Sequence, residues 1–186
     1  MEEKKGLVGW FKANNTKIRS ITNLIGGILL FLCGLVFIII VDLKVNKFDP
    51  ITYKDAAGEE QTYKIVLSLY LLLGAILSFG GGIFFLFGDS RKHKHTQTLV
   101  LKAVGMVLAI AFIFFLFSFK NGVDCYRHPA LHFPEAGFAE AKYFIDEKIY
   151  NTANTVVSVC LALDIIALVI LAVNYVFSIL FIEEDY

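Results

Sequence analysis

Cysteine is scarce in this sequence, and the few residues present stand apart. Three cysteines cannot form a disulfide framework. Cys33 and Cys160 fall inside long apolar runs, which leaves Cys125 alone in a polar stretch. Charge is also thin: 18% of residues are charged, and 17 Lys and Arg balance 17 Asp and Glu, so nothing global points to nucleic acid. The motifs of soluble enzymes are missing. There is no GxSxG, no HExxH, no P-loop and no dinucleotide fingerprint, and the GGG at 80–82 lies within an apolar run where it cannot cradle phosphate. About twenty polar and basic residues precede the first apolar run, so no cleavable leader is expected. Myristoylation and prenylation patterns are absent as well.

What the chain has in abundance is apolar length. Hydrophobic residues make up 57% and mean hydropathy is +0.67, with the charges gathered between four long apolar runs. A bilayer core of about 30 Å is crossed by about 20 apolar residues in helical conformation. The expected fold is therefore an all-α integral membrane protein, an antiparallel four-helix bundle with spans at about 21–41, 63–87, 99–119 and 156–182. One membrane domain, 21–182, is flanked by a basic arm at 1–20 and an acidic tail at 183–186. Between the first two spans, ITYKD and QTYKIV alternate around AAGEE, which fits a short β-hairpin. The long third loop, 120–153, contains PEAGFAEAKYFIDEKIYN, a candidate amphipathic helix whose apolar face would lie on the membrane or on loop one.

The last run, VVSVCLALDIIALVILAVNYVFSILFI, organises the reading. Cys160, Asp164, Ala167, Leu171, Asn174 and Ser178 recur at three- and four-residue intervals and make one small, polar stripe. An ionisable group at mid-depth costs at least about 2.5 kcal/mol in lipid, so Asp164 is expected to face protein or water rather than lipid. There it is expected in its protonated form, hydrogen-bonded to Tyr70, Ser78 or another helix. Gly74, Ser78 and Gly82 form a small-residue ladder at intervals of four, a mark of close helix packing. Lys102 is expected to snorkel to the interface. It lies level with Ser178, about 20 Å along the axis from Asp164, and is a poor partner for that carboxyl.

Orientation follows from basic density. Counting Lys102, the N-terminal arm and loop two carry nine of the 17 Lys and Arg, whereas the longer loops one and three, counted with Lys64 and Asp42 at the ends of loop one, carry eight together with ten of the acids. Both termini are therefore expected in the cytosol and loops one and three outside, with the plasma membrane the expected location. The arm interleaves Trp10 and Phe11 with lysines, as suits an anionic leaflet. Cys125, His128 and His132 have C-x2-H-x3-H spacing, but two prolines interrupt the segment and no second ligand pair follows. A turn with surface histidines is the expected reading, with no metal and no cofactor. Cys125 remains a candidate for an extracellular cross-link between two copies.

In its layout of four short-looped spans the chain resembles small tetraspan organisers such as MARVEL-type proteins and insect septate-junction tetraspans. It departs from three neighbouring families. The large loop lacks the Cys-Cys-Gly of tetraspanins, loop one lacks the tryptophan and cysteine pair of claudins, and neither loop has the several cysteines of gap-junction proteins. The resemblance implies a non-catalytic protein that organises or stabilises a membrane assembly such as a cell junction or adhesion complex. Its partners would be lipid, other membrane proteins and a second copy of itself. Two rivals stand beside that expectation: an auxiliary subunit of a channel or transporter, and a small proton-coupled carrier that uses Asp164.

Overall fold

The structure is a computed structural model that describes residues 7–45, 48–88, 95–140 and 142–181. Those residues form five helices and one hairpin, in order α1 (Leu7–Lys44), β1 (Ile51–Lys54), β2 (Glu60–Tyr63), α2 (Leu67–Gly88), α3 (His95–Arg127), α4 (Pro129–His132) and α5 (Glu147–Phe181), with a 3-10 turn at Pro134–Ala136. Among the described residues four helices, α1, α2, α3 and α5, are long and apolar enough to cross a membrane. Lys4 and Lys5, most of loop two and the acidic tail lie outside the described residues.

Three of the four long helices run well past their apolar stretches. Helix α1 begins at Leu7, not near Ile21, so residues 7–20 of the basic arm form its first turns. Only Gly9 lies between Leu7 and Gly26 as a potential breaker, and polar side chains there cap backbone groups of their own helix. Asn14 Nδ2 donates to the Trp10 carbonyl and Thr22 Oγ1 to that of Ile18. Helix α3 continues to Arg127 and stops where Pro129 forbids helical geometry for His128, whose φ and ψ are −127° and 57°. Pro129 then opens α4, where a missing N–H costs nothing.

The expected amphipathic helix after Pro134 does not form. Gly137 ends the 3-10 turn in the left-handed region at φ 63°, and the chain runs on without helix to Asp146 apart from Ala141, which is outside the described residues. Backbone bonding there goes to α3 instead, with Phe144 N–H donating to the Tyr126 carbonyl. Helix α5 then starts at Glu147, an acid placed favourably at a helix N-terminus, nine residues before the apolar run.

The hairpin is present, with β1 and β2 antiparallel and Ile51 opposite Tyr63. Its turn is tied by one aspartate. Asp55 Oδ1 accepts the N–H groups of Ala57 and Glu59, both at 2.9 Å, and Oδ2 accepts the Gln61 amide at 2.9 Å. Gly58 supplies the positive φ of 82° that the turn requires.

Contacts divide the chain into two compact units. The first draws on Met1–Cys33, Leu77–Ala111 and Leu163–Tyr186, and the second on Gly34–Ile76 and Phe112–Ala162. Leu30, Phe85, Ala109, Ala167 and Leu171 form an apolar core in the first. Here α2 and α3 meet backbone to backbone: a Cβ on Gly105 would stand 3.1 Å from the Gly81 carbonyl oxygen and 2.6 Å from the Phe85 ring. In the second unit, Phe37 makes edge contacts with Phe112, Phe115 and Phe119, with Phe115 and Phe119 also against Tyr70.

Candidate functional site

Two groups of side chains carry chemistry, one in each unit. In the first unit the stripe on α5 supplies Asp164, Ala167, Leu171, Asn174 and Ser178, all fully buried. Lys102 of α3 is fully buried as well. It does not snorkel: its ammonium donates to Asn174 Oδ1 and Ser178 Oγ, each at 2.7 Å. Asn174 in turn donates through Nδ2 to the Arg19 carbonyl at 2.6 Å and to Thr22 Oγ1 at 2.8 Å, so one side chain joins α1, α3 and α5. For a cation on an apolar helix, two well-placed oxygens within the protein replace the route to water. The sequence signal was there, since Asn174 and Ser178 stand four apart at the depth of Lys102.

Asp164 is placed differently from expectation. Ser78 Oγ donates to the Leu30 carbonyl and Tyr70 pairs with Ser118 Oγ at 3.3 Å, so neither reaches the carboxyl. Neither Asp164 oxygen has a hydrogen-bond partner among the described residues. Of the ladder on α2, Ser78 and Gly82 fall in the first unit, where a Cβ on Gly82 would stand 3.0 Å from the Gly27 carbonyl oxygen. Gly74 falls in the second, with the Phe37 ring 3.1 Å from where its Cβ would be. Asn23, which sequence reasoning passed over, adds a further tie by donating through Nδ2 to the Phe85 carbonyl at 2.9 Å.

In the second unit the hairpin and the third loop pack together through aromatic rings. Tyr53 and Tyr63 both meet Phe133, Tyr53 also meets Phe138, and Phe48 and Tyr63 both meet Tyr126. Tyr126, fully buried, accepts the Ile65 N–H on its hydroxyl at 3.2 Å. Burial raises the Tyr63 phenol above its ordinary range, reinforced by its neighbour Cys125. Cys125 is a free thiol, half-buried and hydrogen-bonded to Tyr63.

Asp124 gathers the end of this loop. It accepts the Tyr150 hydroxyl at 2.9 Å on Oδ1, its Oδ2 lies 2.9 Å from His132 Nε2, and His128 Nε2 is 4.0 Å away. The two histidines of the C-x2-H-x3-H segment thus turn to a carboxylate, while the cysteine turns to a tyrosine. Among the described residues no group of three or more His, Cys, Asp or Glu side chains is arranged to hold a metal ion. A polar cavity of about 380 Å³ opens nearby, lined by Asp49, Arg127, Tyr143 and Glu147 among others. Its arginine is already engaged, 3.7 Å from the Glu147 carboxylate and stacked 4.0 Å over the Tyr143 ring.

No protein-family model matches the chain, and neither curated proteins nor solved structures give a match.

Proposed function

We propose that this chain is a non-catalytic tetraspan protein of the plasma membrane that organises or stabilises a membrane assembly, such as a cell junction or adhesion complex. In this reading α1, α2, α3 and α5 cross the bilayer as an antiparallel bundle, both termini and loop two are cytosolic, and loops one and three stand outside. The observation that carries it is the joint aromatic platform of the hairpin and the third loop. A hairpin of two four-residue strands is marginal alone. Here Tyr53 and Tyr63 fix it to Phe133, and Tyr63 to Tyr126, giving a shaped surface of the kind that recognition needs. Leu131, 78% exposed on that loop, is a large apolar side chain left open to a partner. The layout shared with MARVEL-type and septate-junction tetraspans supports the same function.

The second reading is an auxiliary subunit of a channel or transporter. Asp164 is fully buried, so a partner helix would have to meet another surface, and Val107, Ile110, Phe114 and Phe117 of α3 offer an exposed one. Proximity labelling followed by affinity purification in mild detergent separates the two. Enrichment of several adhesion or junction proteins, with the tagged chain at cell contacts, supports the first. Stoichiometric recovery with one channel or transporter supports the second. A protease that cleaves loop three only from the cytosolic side would refute the proposed orientation.

A further inference from the structure

Asp164 is fully buried at the centre of α5, about 25 Å along the axis from either end, with neither oxygen partnered among the described residues. Its unit contains an apolar core of Leu30, Phe85, Ala109, Ala167 and Leu171, the last two of which stand three and seven residues on along the same face of α5. Counter-charges are remote in sequence on every long helix. None lies between Arg19 and Asp42 on α1, none on α2, none between Lys102 and Lys120 on α3, and none on α5 between Lys148 and Phe181 apart from Asp164 itself. The other titratable groups in those stretches are the thiols Cys33 and Cys160 and the phenols Tyr70, Tyr150 and Tyr175. Tyr150 is bonded to Asp124, and Lys102 to Asn174 and Ser178.

A carboxylate in such a place needs a positive occupant, because an uncompensated buried charge costs several kcal/mol. A metal cation asks for six or more oxygen ligands, or for imidazole and thiolate in their place, and this apolar core offers no such shell. A proton asks for one lone pair. We propose that Asp164 is a proton-binding site built into the apolar interior of the first unit, occupied while that interior is dry and emptied only when water reaches it. Loss of the proton is then linked to wetting of the core, a property that a purely structural Asn at this position would not have.

Infrared spectroscopy of the whole protein in lipid nanodiscs tests this, with Asp164→Asn as reference. Asp164 alone among the described acids is buried, and the difference from Asp164→Asn isolates its un-ionised carboxyl stretch. Wild type is expected to show that band at neutral pH, at one carboxyl per chain, unchanged when choline replaces sodium and absent from Asp164→Asn. If the Asn variant fails to fold, aspartate labelled with ¹³C in wild type assigns the band by its isotope shift. Carboxylate bands alone at neutral pH would overturn the proposal. So would an acid band that disappears when sodium is restored, because the occupant would then be a metal cation.

Discussion

Asn174→Leu is the sharpest perturbation the first unit offers. The substitution keeps approximate volume and removes three hydrogen bonds: one from the Lys102 ammonium and two that the amide donates to the Arg19 carbonyl and Thr22. A bond to a charged group contributes about 1.5–3 kcal/mol. Neutral bonds between membrane helices average about 0.6 kcal/mol. The expected loss is therefore about 3 kcal/mol, close to a hundredfold in the folded-to-unfolded ratio. Because that total mixes several effects, the decisive measurement is a double-mutant cycle with Lys102→Met, read by reversible denaturant unfolding in micelles. Lys102 and Asn174 share one bond at 2.7 Å, so a coupling energy of about 1.5–3 kcal/mol is expected. A coupling below about 0.5 kcal/mol would refute the claim that this buried cation is held by the α5 stripe.

Gly105→Leu should destabilise by about 1–3 kcal/mol in the same unfolding assay, because its first carbon would meet Phe85 and the Gly81 carbonyl, whereas Gly80→Ala, facing only Leu108 at 3.2 Å, should stay within about 1 kcal/mol of wild type. The Asp55 carboxyl is held below its ordinary value of 3.8 by the Gln61 amide first and then by the Glu59 N–H. A depressed folded value means that this support for the turn is complete above 3.8 and is lost as pH falls through the lower folded value. The amide signals of Ala57 and Glu59 should therefore hold steady down to that point and move only below it, and an earlier change would contradict the bonding described. The Tyr63 hydroxyl favours the thiolate of half-buried Cys125, and maleimide attacks the thiolate, so labelling should be faster in wild type than in Tyr63→Phe, with equal rates counting against the contact.

The four apolar helices and the hairpin were legible because each rests on a local signal: runs long enough for hydrocarbon, and alternation around a Gly-containing turn. Helix ends were not legible in the same way. Hydropathy marks where lipid would stop, yet the hydrogen-bond ladder continues until something breaks it, which is why α1 already includes Leu7 and α3 persists to the residue before His128. The PEAGFAEAKYF segment had the right apolar spacing, but Gly137 and the pull of Tyr126 on Phe144 mattered more than periodicity. Depth arithmetic placed Lys102 level with Ser178. What it lacked was the competition between water at the interface and two oxygens already inside, and only the facing of α3 and α5 decides that.

The length of α1 has an optical consequence. Its 38 residues extend about 57 Å, nearly twice the hydrocarbon thickness. Trp10, more than half exposed and the sole tryptophan of the chain, sits eleven residues ahead of Ile21. On an upright helix with Ile21 at the acyl boundary, its indole would stand about 16 Å outside that boundary. Native fluorescence is thus a built-in depth gauge: quenching by brominated acyl chains reads the lean of this rod directly, with no label and no engineered residue.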